Sequence, residues 1–217
     1  MNQFSSIFLF AGLFLSVSAL TPEECKPLIT PLSLEDPSVL HGMVHLIVGY
    51  TDSAIYNDFL NASDSYWMNT IASPSNDKEV IVHEEHKLNG SCYGMTVNFT
   101  IDGNVARMAL GNITTMYHVL PGCDGCLVLS GNGTARGLDQ YFRAMNYEST
   151  IKADDVINSR VLYLMAKERT LKDSDLEQFK QQAGCLGFSG EPDFEFDSKK
   201  DLCKEGEGVN LNIPNQK

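Results

Sequence analysis

The sequence predicts an all-β fold, an eight-stranded up-and-down antiparallel barrel with a C-terminal α-helix packed outside it. Short apolar or alternating runs follow one another from residue 42, turn residues separate them, and one amphipathic segment follows the last run. Regular spacing of this kind indicates a meander, which forms a sandwich or an up-and-down barrel. We favour the barrel, because closing a sheet of seven or more strands removes its two exposed edges.

The eight predicted strands are separated by residues typical of hairpin turns, such as Asn89-Gly90 and Asp102-Gly103. In the strand that starts at Cys92, the apolar residues alternate with small or polar residues that include Asn98. A glycan on Asn98 would place that face outside and the apolar face inside. The predicted strands cover residues 43–50, 66–73, 79–87, 92–101, 104–110, 113–120, 126–130 and 160–167.

The long connection between the seventh and eighth strands has weak helical character. Within residues 134–158, four residues fall at helical spacing: Leu138, Tyr141, Phe142 and Met145. This pattern predicts either a short surface helix or an irregular loop.

A clearer helix is predicted from Ser174 to about Ala183. Ser174 and Glu177 have the spacing of a capping box. Leu176, Phe179 and Ala183 form one apolar stripe, which we expect to pack against the barrel wall.

The composition and the net charge limit the possible functions. The chain has 217 residues, of which 43% are hydrophobic and 20% charged, as in globular proteins. This length suffices for one domain with one core, and we expect a monomer. The net charge of -12 argues against nucleic acid and anionic membranes as partners, since both are bound by clustered Lys and Arg.

The first 19 residues predict a signal peptide. Residues 4–19 form an apolar run that is short for a bilayer span, and it ends in the small residues that signal peptidase requires. The alternative is an uncleaved anchor helix. We therefore predict a secreted, extracellular (plasma) protein with no inserted segment, a domain at 20–203 and a loose polar tail at 204–217.

Five N-glycosylation sequons agree with secretion. If a sequon is used, its asparagine lies on the outer surface. The five acceptor residues are Asn61, Asn89, Asn98, Asn112 and Asn132.

All six cysteines follow the predicted signal peptide. An even number in a secreted chain favours disulfides, but the spacing leaves the pairing open. Cys123 and Cys126 could form a redox pair or a local disulfide. A redox pair of this type needs its first sulfur at the start of a helix, whereas Cys126 leads into a predicted strand. We therefore favour the local disulfide.

The order of these features resembles the lipocalins, and in particular the α-1-acid glycoprotein branch with its fish saxitoxin- and tetrodotoxin-binding and tributyltin-binding relatives. The resemblance covers essentially the whole mature chain. Val44 replaces the tryptophan of the lipocalin G-x-W signature and keeps an apolar side chain. The segments that carry the resemblance are Cys25-Lys-Pro-Leu, Gly42-Met-Val44, Cys92, Cys185-Leu and Lys199-Lys-Asp-Leu-Cys203.

The resemblance implies two long-range bridges, Cys25–Cys185 and Cys92–Cys203, to which Cys123–Cys126 would add a local third. It also implies a calyx, the ligand cavity of the barrel. Glu84 and Arg107 match an acidic and a basic residue that line the family's cavity. The same two residues could instead form a structural ion pair across the barrel mouth.

Alternation within the strands predicts the lining of that cavity. An eight-stranded barrel has room inside for one small ligand. Binding requires an apolar lining with a few placed polar groups. The predicted ligand-binding residues are Leu46, Met68, Val82, Glu84, His86, Val97, Phe99, Arg107, Tyr117, Leu129 and Leu164.

Neither an enzyme nor a metal or cofactor site is expected. His83 and His86 are three residues apart in a strand, so they point to opposite faces and cannot share one ion. The sequence contains no nucleophile elbow, phosphate-binding loop or H-E-x-x-H motif.

The sequence therefore predicts a carrier that sequesters a small hydrophobic or cationic amphipathic molecule, such as a toxin or xenobiotic. The alternative is an acute-phase immunomodulatory glycoprotein that acts through its surface and glycans. Saturable one-to-one ligand binding would distinguish the two hypotheses.

Overall fold

The structure, a computed structural model, describes residues 20–211. The predicted signal peptide, residues 1–19, lies outside the described residues. The helices are α1 (Pro22–Ile29), α2 (Ala54–Ala62), α3 (Leu138–Ala144) and α4 (Asp173–Cys185), with a 3₁₀ helix at Pro37–Leu40. The strands are β1 (Gly42–Thr51), β2 (Ser63–Ala72), β3 (Glu79–Leu88), β4 (Ser91–Asp102), β5 (Val105–Leu110), β6 (Ile113–Leu120), β7 (Cys126–Arg136), β8 (Val156–Ala166), β9 (Phe194–Glu195) and β10 (Val209–Asn210).

Strands β1 to β8 form a closed up-and-down barrel. Each strand pairs antiparallel with the next one in the chain, and β1 pairs with β8 to close the ring. The predicted all-β barrel with a helix outside is confirmed, and all eight predicted strands are present. The main difference is that β7 and β8 extend further than predicted, to Arg136 and back to Val156.

The C-terminal segment covers an open edge of the barrel. Only residues 99–102 of β4 pair with β5, which leaves the first half of β4 free on that side. There β10 pairs parallel with β4, and the Leu211 amide donates to the Gly94 carbonyl at 2.8 Å. The prediction of a loose tail is therefore wrong for residues 209–211, because an unpaired strand edge offers backbone hydrogen bonds. Residues 212–217 of the tail lie outside the described residues.

Helix α4 packs on the outer wall of the barrel, as predicted. Phe179 and Ala183 are buried in one cluster with Leu162 and Leu164 of β8. The predicted capping box is wrong, since α4 begins one residue earlier and has Lys172 at its N-cap with no side-chain cap. None of the helices within residues 20–211 is long and apolar enough to cross a bilayer.

Helices α2 and α3 cover the open end of the barrel, and we call them together the lid. Phe142 of α3 stacks on Phe59 of α2 with ring centroids 5.4 Å apart, and Leu138 and Met145 are buried beside them. This connection does contain a short helix, but the prediction that the helix lies on the surface is wrong. The apolar face of α3 is buried because it closes the barrel mouth.

Three disulfides staple the fold: Cys25–Cys185, Cys92–Cys203 and Cys123–Cys126. The first ties α1 to α4, and the second ties the C-terminal segment to β4. The described chain contains no free cysteine.

Trp67 lies on the outer face of β2, opposite the cavity. Its indole N–H donates to the carbonyl of Cys203 at 2.8 Å, and the side chain is 2% exposed. Its packing partner is the segment around Cys203, which the bridge to Cys92 holds against this wall.

Candidate functional site

The barrel encloses a cavity with two adjoining chambers. The deep chamber has a volume of about 60 Å³ and is bounded by residues such as Leu40, Val80 and Met165. The upper chamber has a volume of about 200 Å³ and lies beneath the lid. Five residues line both chambers, and we call them the waist. They are Tyr66, Glu84, Phe99, Tyr117 and Tyr163.

Nine of the eleven residues predicted to bind ligand line this cavity. Strand alternation located them, because β1, β2, β3, β4, β6 and β7 each have one face toward the interior. That they bind a ligand stays a prediction. The nine are Leu46, Met68, Val82, Glu84, His86, Val97, Phe99, Tyr117 and Leu129.

Arg107 does not line the cavity, and this prediction is wrong. Arg107 is exposed on the outer face of β5, where its guanidinium contacts the sulfur of Met116 at 2.6 Å. Met108 and Leu110, on the other face of β5, line the upper chamber. The proposed ion pair between Arg107 and Glu84 is therefore excluded, because the barrel wall separates the two side chains.

Leu164 does not line the cavity either, and this prediction is also wrong. Leu164 and Leu162 pack outside the barrel in the cluster under α4, whereas Tyr163 and Met165 face the interior. Both faces of β8 are buried, one by the cavity lining and one by the helix. The strand therefore lacks the apolar–polar alternation that would identify its inner face.

Sequence reasoning missed the waist residues Tyr66 and Tyr163 and the underside of the lid. Tyr66 could have been found, since it is two residues before Met68 in the same strand. The lid was not recognised as part of the site, although Ile55 and Phe59 in α2 have helical spacing. The lid residues that line the upper chamber are Tyr56, Phe59, Leu60, Leu138, Tyr141 and Phe142.

Among the described residues that line the two chambers, Glu84 is the only acidic one. Burial away from water raises the pKa of its carboxyl to about 7, and a hydrogen bond with Tyr66 opposes this shift. Near neutral pH the carboxylate form is thus present but poorly solvated. Neither lysine nor arginine occurs among the described residues that line the chambers. Glu84 is therefore a buried anion without a protein cation.

His86 lies on the same face of β3 as Glu84, two residues further on. Burial lowers the pKa of its imidazole to about 4, partly offset by Asp64, so the ring is neutral at physiological pH. Its Nε2 is 2.7 Å from the Ser63 hydroxyl, and its ring packs 4.8 Å from Phe59. His83 points outward and contacts the Thr96 hydroxyl. Within residues 20–211, no group of three or more His, Cys, Asp or Glu side chains could hold a metal ion.

Four tyrosines surround Glu84 closely enough for their hydroxyls to interact with its charge. Burial raises the pKa of each phenol, so all four remain neutral and can donate hydrogen bonds. A neutral phenol has a ring whose face attracts cations. The four are Tyr66, Tyr117, Tyr141 and Tyr163.

The outer surface differs in chemistry from the cavity. A depression of about 890 Å³ lies outside the barrel and is lined by polar residues that include Asn98, Asn132 and Arg160. All five sequon asparagines are exposed. A glycan on any of them would point into solvent and away from the cavity.

Comparisons with known proteins place the fold. No protein-family model and no curated protein matches the sequence. Among solved structures, the chain is similar to the siderocalin Ex-FABP, which is described as functioning through dual ligand specificities. The two share 12% sequence identity and superpose with a TM-score of 0.51. The similarity covers 69% of this chain and 88% of that chain. At this identity the similarity shows the fold alone, which is the lipocalin fold.

Two further similarities are weaker by TM-score. The bovine lipocalin allergen Bos d 2 has 17% identity and a TM-score of 0.48, with coverage of 71% of this chain and 89% of that chain. The odorant-binding protein OBP1 has 12% identity and a TM-score of 0.49, with coverage of 74% and 90%.

Proposed function

We propose that this protein is a secreted carrier that sequesters a small amphipathic cation in its barrel. The observation that carries the proposal is Glu84, a buried carboxylate in a mainly apolar and aromatic cavity whose described lining residues include no lysine or arginine. A buried charge without a partner is costly. A cationic ligand would supply that partner, and the tyrosine faces would add cation–π attraction.

The size and closure of the cavity support a small guest. Chambers of about 60 and 200 Å³ fall below the roughly 300–1,000 Å³ of typical drug-sized pockets. The lid covers the upper chamber, so a bound molecule would be withdrawn from solvent. Sequestration of this kind suits the removal or transport of a toxin or xenobiotic.

The overall charge and the disulfides support the same proposal. The net charge of -12 would attract cations toward the protein and raise their association rate. Three disulfides are typical of an oxidising, extracellular compartment such as plasma. The resemblance to the α-1-acid glycoprotein branch agrees with a plasma carrier.

The proposal is tested with two probes that differ mainly in charge, phenethylamine and the neutral, similarly shaped propylbenzene. Glu84→Gln keeps the shape of the side chain and removes its charge. We expect the affinity for phenethylamine to fall about ten- to hundredfold while that for propylbenzene changes little, since a charge-assisted hydrogen bond contributes roughly 1.5–3 kcal/mol. Isothermal titration calorimetry at pH 8 measures both affinities.

Arg107→Gln is the matched control, because it removes a charge from the outer face of the same barrel. It should leave both affinities unchanged. Equal losses for the two probes in Glu84→Gln would reject recognition of charge and leave a carrier of neutral hydrophobic molecules.

A second candidate function is an acute-phase immunomodulator that acts through its glycans. The five exposed sequon asparagines favour it. Enzymatic deglycosylation of the secreted protein separates the two functions, since it should leave phenethylamine affinity intact. Loss of an effect on leukocytes after deglycosylation, with the same effect preserved in Glu84→Gln, would support the second function.

A further inference from the structure

Two waist tyrosines face Glu84 from the other side of the barrel. Glu84 and its hydrogen-bond partner Tyr66 belong to β3 and β2, whereas Tyr117 belongs to β6 and Tyr163 to β8. In a ring of eight strands joined in chain order, β7 lies opposite β3, and β6 and β8 are the neighbours of β7. All four side chains nevertheless line both chambers. A molecule at the waist would therefore meet polar groups on two opposite sides.

Each of these two tyrosine rings lies against a glycine on the neighbouring strand. Tyr117 is directly opposite Gly131, where an added Cβ would come within 2.5 Å of its ring. Tyr163 is directly opposite Gly49, where an added Cβ would come within 3.2 Å of its ring. The absence of a side chain at both glycines leaves room for the rings at these positions. The rings are thus positioned before any ligand arrives.

The hydroxyls of these two tyrosines have no hydrogen-bond partner among residues 20–211, whereas those of Tyr56 and Tyr66 are bonded to Ser159 and Glu84. Both rings nonetheless line the enclosed cavity. Polar groups inside a protein normally have hydrogen-bond partners, which are supplied by the protein, by water or by a ligand. Two positioned donors without a protein partner indicate a place for a ligand's polar group.

We propose that Tyr117 and Tyr163 form a second polar subsite, and that the natural ligand carries a hydroxyl or carbonyl group on the side opposite its cationic group. This proposal rests on the proposed function, because the cation at Glu84 fixes which end of the ligand faces the two tyrosines. It narrows the ligand class from amphipathic cations in general to compact cations with two polar ends. A purely hydrocarbon tail would leave both hydroxyls unpaired.

The experiment uses phenethylamine and tyramine, which differ by one hydroxyl at the end remote from the ammonium group. The wild-type protein should bind tyramine roughly five- to tenfold more tightly, as expected for one added hydrogen bond in a buried site. In the double variant Tyr117→Phe with Tyr163→Phe, the ratio of the two affinities should fall to about one. Tyr50→Phe, a buried tyrosine in the cluster under α4, should leave the ratio unchanged.

The outcomes separate this inference from the proposed function. If the wild-type protein binds both amines equally, or if the double variant keeps the preference for tyramine, the second subsite is rejected while the cation carrier stands. If neither amine binds, the proposed function fails and the subsite fails with it. A ratio that drops in the double variant and persists in Tyr50→Phe supports the inference.

Discussion

The two faces of β8 show how one strand contributes separately to stability and to binding. On the outer face, Leu162 and Leu164 are at most 1% exposed and pack against Phe179 of α4. On the inner face, Tyr163 lines the upper chamber, and its hydroxyl has no hydrogen-bond partner among residues 20–211. The filled face resembles any protein core. The inner face lacks such close packing and leaves room for a small molecule.

The largest effect on stability is expected in the close-packed cluster between β8 and α4. Phe179→Ala should lower the free energy of unfolding by about 3–5 kcal/mol, because it leaves a cavity among close-packed side chains. Phe99→Ala, at the waist, should cost distinctly less, because Phe99 already borders open space. Urea denaturation measures both losses. Equal losses of stability would mean that the cluster under α4 and the lining of the cavity are packed alike.

The bridge between α1 and α4 should have the next largest effect. Replacing both Cys25 and Cys185 with serine should cost about 2–4 kcal/mol of stability, since the bridge closes a loop with a sequence separation of 160 residues. The affinity of the folded variant for phenethylamine should not change, because the bridge lies outside the barrel. A lowered affinity at a temperature where the variant remains folded would show that this outer region supports the site.

Glu84 should have a smaller, pH-dependent effect on stability. The unfolded chain loses this proton near the ordinary value of 4.5, whereas the folded protein keeps it to about pH 7. Between these values the folded state binds more protons, so wild-type stability falls as the pH rises. Glu84→Gln avoids this loss. It should be more stable than wild type by up to roughly 3 kcal/mol at pH 8, and no more stable at pH 4.

Thermal denaturation of both proteins at the two pH values tests this prediction. The titration of His86 lowers stability below pH 6.5 in both proteins, so it cancels in the comparison. A variant that is less stable than wild type at pH 8 would contradict this and show that the ionised carboxylate stabilises the folded protein.

The barrel could be predicted from the sequence, because turn residues and alternation reflect local geometry. The inner face of β4 was found for this reason, and Asn98 is exposed on its other face as expected. In β8 the same rule failed, because a helix and a cavity bury both faces. The sequence of β8 does not show which of its faces packs against α4 and which lines the cavity, because α4 comes later in the chain and folds back onto the strand.

The misplacement of Arg107 has a different cause. Strand β5 alternates between a face with Arg107 and a face with Ala106, Met108 and Leu110. The second face is entirely apolar and lies inside, so the pattern itself favoured the correct assignment. The lid could not be predicted in the same way, because it forms only where α2 and α3, which are far apart in the sequence, meet over the barrel.

Arg107 gives the smallest expected effect. Arg107→Gln should change both stability and ligand affinity by less than about 0.5 kcal/mol, as is usual for an exposed side chain. Denaturation and calorimetry together measure this. A loss of affinity comparable to that of Glu84→Gln would place Arg107 at the ligand and contradict the outward position of its side chain.

The pH dependence of affinity tests the central claim, that an unpaired buried carboxylate selects cations. Phenethylamine stays protonated between pH 5 and 8, while Glu84 ionises near pH 7. The affinity for phenethylamine should therefore rise by up to about tenfold per pH unit from pH 5 to 7 and then level off, because the cation binds the protein with Glu84 ionised. The affinity of propylbenzene should not rise over the same range. Parallel profiles for the two probes, or a flat profile for phenethylamine, would contradict the account.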